Sequence, residues 1–326
     1  MKRFTFFLTA SLAFVPTPFL AAQSVGKPCV AEHYRLIALP MRPTRINDSG
    51  HVAGTTPSRR AALWSEKDGL KQISLPAGFE TAEALGLNND GHVIGVAMSA
   101  DSTRRHAFSF RDGKVALLSG EQSKPSAIND RGEIAGESSI SGKAATVPVL
   151  WRGHEAVDLG ACCGGTATGI NQEGQVVGQI YDAQGLYHAF LWDQTRGIQS
   201  IVPGDDYSSA LAINDAGHVL VQAFPRILLY KDGALTPLDL SARVPSQPRD
   251  FNNCDAIVGS FGPHSDALRA FVWEKSSGLH DLNDRIPPGS GWKLEVATGI
   301  NNRGEIVGWG DHKGMEDAGF LLVPEW

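Results

Sequence analysis

Two short groups of side chains offer the most to a reaction. Asp205, Asp206 and Tyr207 are consecutive, and His264 stands two positions before Asp266. Carboxylates near an imidazole or a phenol can provide a general base and a general acid, the equipment of a hydrolase or lyase for a polysaccharide or small metabolite. A cationic set is also present. Arg60, His106, His188, Arg226 and Arg269 each stand four positions before a recurring aromatic, while Val147 and Ala318 occupy the equivalent places elsewhere. Such a set can ring an anionic ligand, or it can bond locally where similar strands begin. The histidines lack the HxH or HExxH spacing of a zinc site, so no metal ligand is assigned. A divalent metal on a central axis stays open, because ligands from separate repeats would be remote in sequence. No cofactor is implied and no residue is assigned as catalytic.

The elements that must position these groups come from a repeat. INDSG occupies Ile46 to Gly50, LNNDG Leu87 to Gly91, INDRG Ile128 to Gly132 and INQEG Ile170 to Gly174. INDAG follows at Ile213 to Gly217, a degraded FNNCD at Phe251 to Asp255, and INNRG at Ile300 to Gly304. The motif asparagines are Asn47, Asn88, Asn129, Asn171, Asn214, Asn252 and Asn301, spaced 41, 41, 42, 43, 38 and 49 residues apart. That interval suits a four-stranded propeller blade and is too long for one hairpin. Each Asn side chain can accept from a main-chain N–H two residues on, and the following Gly supplies positive φ, so these residues read as structural turn formers.

Aligned on the Asn, each repeat shows four short strands. A second Gly recurs seven residues after the Asn (Gly54, Gly95, Gly136, Gly178, Gly259, Gly308), with Val221 the exception. The third strand carries Trp64, Phe110, Trp151, Trp192, Tyr230, Trp273 and finally Leu322, a pattern suited to packing between blades. The last repeat has three strands before Trp326, and Tyr34 to Pro40 resembles the outer strand Leu70 to Pro76. The expected fold is therefore all-β: a seven-bladed β-propeller of four-stranded blades, with the N-terminal strand completing the last blade.

Met1 to Gln23 has a basic start, an apolar stretch and small residues at Ala21 and Ala22, the pattern of a secretory signal peptide. The expected organisation is a leader over 1–22, a lead-in over 23–33 and one propeller domain over 34–326. No later stretch is long and apolar enough to span a membrane as a helix. The formal charge of −6 becomes −8 without Lys2 and Arg3, which argues against a nucleic-acid partner. Four Cys allow three complete pairings. Cys29 before the closing strand and Cys254 in the sixth turn fall on one face in neighbouring blades, and their bridge is the expected disulfide. Cys162 and Cys163 form either a vicinal disulfide or free thiols.

The segments His106-Ala107-Phe108 and His188-Ala189-Phe190, each downstream of an I-N-x-x-G-x-x-x-G unit, resemble the HAF-repeat extracellular proteins of bacteria. The resemblance covers Tyr34 to Trp326 and implies export and a repeat-built β fold, without a catalytic set. Topology puts the longer loops, between second and third strands and between blades, on one face, the default ligand face. Asp205 to Tyr207 and Trp292 enter inner strands there, near the axis. The leading expectation is an exported, monomeric binding or scaffold protein, periplasmic or extracellular, for a protein or glycan ligand. The hydrolase or lyase is the alternative.

Overall fold

The computed structural model describes residues 29–204, 207–240, 245–264 and 267–326. The expected leader, most of the lead-in, Asp205, Asp206 and Asp266 lie outside the described residues. Seven four-stranded antiparallel sheets are present. Blade 4 shows the order, with Gly165–Ile170 innermost, then Val176–Tyr181, Tyr187–Asp193 and Gly197–Ser200. In blade 7 the strand His33–Leu39 forms the outer edge, paired from His33 opposite Glu325 to Leu39 opposite Gly319. The expected closure is thus present, and it covers what would otherwise be an open edge. The blade's inner hairpin pairs Trp292–Ile300 with Ile306–His312, and at its open end Trp292 stands opposite His312 with ring centroids 4.4 Å apart.

The motif asparagines do more than start turns. The Asn88 Oδ1 accepts from the N–H of Asp90 at 3.1 Å and of His92 at 2.9 Å, as an Asx turn requires. Its amide nitrogen points the other way and donates to the carbonyl of Asn129 in the next blade at 3.1 Å. The same donation runs Asn47 to Asn88, Asn129 to Asn171, Asn171 to Asn214, Asn214 to Asn252 and Asn252 to Asn301, then returns from Asn301 to Asn47 at 2.9 Å. A second circuit accompanies it. The N–H of the residue after each Asn donates to the side chain of its counterpart one blade on, from Asp48 to Asn89 and finally from Asn302 back to Asp48. All seven asparagines are buried, so these polar groups need such partners. In the degraded sixth motif Asp255 adopts φ 61°, and its carboxylate accepts from Asn214 Nδ2 and bonds to His218 Nδ1, both at 2.8 Å.

The glycine seven residues after the Asn answers a close approach. Every inner strand bulges at one register, between the positions four and two residues before the Asn. A Cβ on Gly178 would fall inside contact distance of the Thr166 carbonyl and 3.0 Å from the Phe190 ring. Gly178 pairs with Phe190, and likewise Gly95 with Phe108, Gly259 with Phe271 and Gly308 with Phe320. The Phe of the HAF segments therefore lies over a glycine. In blade 5 Val221 faces the smaller Leu228, which leaves room for the extra side chain. The third-strand aromatics pack on the preceding blade: Trp151 joins Ile94 and Ala107 of blade 2, and Trp192 joins Ala135 and Leu150 of blade 3.

Cys29 and Cys254 form a disulfide across 225 residues, tying the N-terminal segment to the sixth Asn turn. Cys162 and Cys163 are free and exposed, with sulfurs 2.7 Å apart. No helix among the described residues is long and apolar enough to cross a membrane.

Candidate functional site

The bulges shape the axis. The residues bulged at this shared register are Thr44, Leu85, Ser126, Thr168, Leu211, Arg249 and Thr298, one per blade. Five of them, Thr44, Leu85, Leu211, Arg249 and Thr298, line a cavity of about 650 Å³ on the interblade-loop face. On the Asn-turn face the axis holds a separate hollow of about 160 Å³. Its lining includes Ile46, Leu87, Ile128, Ile213, Phe251 and Ile300, which stand between the Asn turns and the bulges along the inner strands. The larger cavity is thus a cup, open on the loop face and narrowed by an apolar collar toward the rings.

Charge in the cup comes chiefly from Arg42, Arg45 and Arg249, with Glu83 on the blade 2 wall. Arg45 Nη1 donates to the carbonyls of Thr44 at 3.0 Å and Thr298 at 3.1 Å. Arg42 lies over the Trp309 ring at 4.1 Å and pairs with Asp317 at 3.6 Å. Arg249 lines the cup and is exposed to its solvent. Burial, and then the charges of Arg42 and Arg45, hold its guanidinium below the ordinary arginine range. The neighbouring Asp250 turns away from the cup, accepting from the Ile300 N–H at 3.2 Å. Burial pushes its carboxyl up, with Arg45 and main-chain donors opposing that shift. An adjoining hollow of about 690 Å³ shares Arg42 and Thr55 with the cup and is bounded by Leu39, Pro40, Met41 and Met315 at the blade 7–blade 1 junction.

None of the described residues singled out from sequence is in the lining of this cup. His106 Nε2 bonds to the Leu118 carbonyl at 2.9 Å, His188 Nε2 meets Asp182 at 3.1 Å, and Arg269 pairs with Asp281. The His188 bond is also the main reason the Asp182 carboxyl sits below its usual range. Arg60 is half-buried in a turn closed by Thr56, and Arg226 opens the third strand of blade 5. Trp292 is held between His312 and, edge-on, Phe320 at 6.2 Å. Tyr207 precedes an inner strand, but its ring packs edge-on against Tyr187 of blade 4 at 5.3 Å. His264 is exposed in the loop between the second and third strands of blade 6. Among the described residues, no group of three or more His, Cys, Asp or Glu is placed to hold a metal.

Sequence reasoning missed Arg42, Arg45 and Arg249. The signal was their offset from the motif: Arg249 stands three residues before Asn252, at the bulge position, and Arg45 and Arg42 stand two and five before Asn47.

No protein-family profile and no curated protein matches this chain. Several solved structures share its fold. The β-propeller domain of the Trilobed protease from Pyrococcus furiosus superposes with a TM-score of 0.60 at 8% identity, covering 89% of this chain and 97% of that one. That domain has an open velcro topology, whereas here His33–Leu39 closes the last blade. YCF48 bound to D1 peptide gives 0.53 at 11% identity over 96% of this chain and all (100%) of its own. A catalytically inactive virginiamycin B lyase from Staphylococcus aureus, with quinupristin, gives 0.52 at 11% identity over 90% and 100%. At these identities the likeness is one of fold, and the propellers concerned include both binding and catalytic proteins.

Proposed function

We propose that this chain is an exported binding propeller of the HAF-repeat type, periplasmic or extracellular, that takes its ligand in the axial cup and performs no chemistry on it. The observation that carries this reading is the cup itself. Five bulge residues from separate blades converge on one cavity, whose lining presents Thr hydroxyls, guanidinium groups and the Trp309 ring. Those groups recognise; none is a nucleophile paired with a base. Tyr207 and His264, the described members of the hydrolase set, stand on different blades and outside the cup, which favours binding over hydrolysis. The leader pattern and the Cys29–Cys254 bridge both suit an oxidising, extracytoplasmic compartment.

The test compares native mass spectra of exported wild-type protein and Leu85→Trp, which fills the cup from the blade 2 wall. A bound small molecule in wild type that is lost from a folded Leu85→Trp protein supports the reading. Retention in the plugged variant, or turnover of a polysaccharide by wild type, would count against it. N-terminal sequencing of the same material should begin near Gln23.

A further inference from the structure

We infer that the axial cup takes an oxyanion, a carboxylate or phosphate, seated on Arg249 with Arg42 and Arg45 beside it. The inference rests on the cup being the ligand site and adds the chemical class of what enters.

Three guanidinium groups converge from blades 1 and 6, on either side of blade 7. Two are already engaged: Arg45 on two carbonyls, and Arg42 on Trp309 and Asp317. Among the described residues the Arg249 side chain makes no hydrogen bond or ion pair, although its fork offers five N–H donors. A cation that faces two like charges in one cavity is repelled until a counter-charge arrives, and an arriving anion relieves that repulsion. The fixed fork also matches the two oxygens of a carboxylate or phosphate.

The carboxylates nearby do not answer this demand. Asp250 is turned onto the Ile300 N–H, Asp317 serves Arg42, and Glu83 stands across the cup on blade 2 without an ion pair to Arg249. Nor is a basic cup a reflection of overall composition, since the chain carries a formal charge of −6. The adjoining hollow at Pro40, Met41 and Met315 shares Arg42 with the cup and is mainly apolar. An anion on Arg249 can therefore extend a short hydrocarbon body outward over the blade 7–blade 1 junction, which makes a small organic acid the better match than a bare ion.

Calorimetric titration of the full, unreduced protein with octanoate, neutral octanamide and inorganic phosphate tests this at low and high salt. Octanoate should bind more tightly than octanamide, weaken with salt, and lose roughly tenfold or more affinity in Arg249→Gln, the scale for one charged hydrogen-bonded contact. Arg249→Lys should recover part of that loss. Phosphate binding that also depends on Arg249 would show that the oxyanion suffices, and octanoate alone would show that the apolar arm is needed. Equal binding of octanoate and octanamide, or an unchanged Arg249→Gln variant with a wild-type circular dichroism spectrum, would overturn the inference. So would no binding of any of the three at millimolar concentration. Leu85→Trp separates the two readings: neutral probes excluded by the plug but indifferent to Arg249 would leave the cup as the site and remove the anion.

Discussion

Replacing Asn88 by Asp separates the two jobs of the motif asparagine. Asp keeps the side-chain oxygen that receives the Asp90 and His92 N–H groups, so the turn within blade 2 survives. It loses the amide that donates to Asn129 in blade 3, and a carboxylate oxygen then faces that carbonyl where a 3.1 Å hydrogen bond stood. The side chain is buried, with Asn88 only 5% exposed, so water does not readily make up the loss. One lost bond is worth about 1 kcal/mol, and a buried acceptor left opposite a negative charge adds about 1–3 kcal/mol. Asn88→Asp should therefore cost about 2–4 kcal/mol at neutral pH, comparable with Asn88→Ala. Urea unfolding followed by tryptophan fluorescence would show a lowered midpoint at unchanged slope. The sign of the pH dependence is a second check. The facing carbonyl raises the folded-state pKa of the introduced Asp above about 4, so stability returns as pH falls and the protonated acid donates across the gap. A variant within about 0.5 kcal/mol of wild type at pH 7 would refute the interblade role and leave only a turn former.

Gly178→Ala should destabilise by about 1–3 kcal/mol, because the new methyl meets the Thr166 carbonyl and the Phe190 ring, and thermal unfolding would record it. Breaking the Cys29–Cys254 bridge with Cys254→Ser should cost about 2–4 kcal/mol, the chain-entropy ceiling for so long a loop being about 5 kcal/mol. Peptide mapping of unreduced native protein should find Cys162 and Cys163 alkylated and Cys29 and Cys254 protected. His92 is buried with neither ring nitrogen partnered, and burial, with Arg111 adding to it, pushes its pKa below the usual 6.5. The unfolded chain then binds the proton that the folded one resists, so stability present above pH 6.5 should fall as the pH drops below it. Urea midpoints at two pH values should converge in His92→Gln relative to wild type.

The sequence determines this fold to an unusual depth because its information is repeated. A motif that recurs about every 42 residues fixes the unit as a blade, and seven copies fix the ring. The likeness of Tyr34 to Pro40 to an outer strand is enough to place the closing strand, now paired along Met315–Glu325. Cys29 and Cys254 were legible for the same reason, since strand order alone puts them on one face in adjacent blades. What repetition could not reveal is what each repeated residue touches one blade away. The Asn amide reaches a main-chain carbonyl, which has no side-chain signature, so the turn was legible and the ring was not. The same holds for the recurrent Gly, whose need is set by a bulge in the strand beside it.

The candidate site was the least legible part, and again for a physical reason. Asp205, Tyr207 and His264 drew notice as chemically capable residues in variable loops, whereas the cup is lined largely from inner strands, with a bulged residue from each of five blades. Arg42, Arg45 and Arg249 are up to 207 residues apart, from Arg42 to Arg249, and share only a nearness to the motif. The sequence by itself determined the period, the blade, the closure and the turn chemistry, because these depend on local residue preference and on counting. Only the tertiary structure decided which side chains converge on the axis, because closing seven blades into a ring is what brings distant bulges to one point.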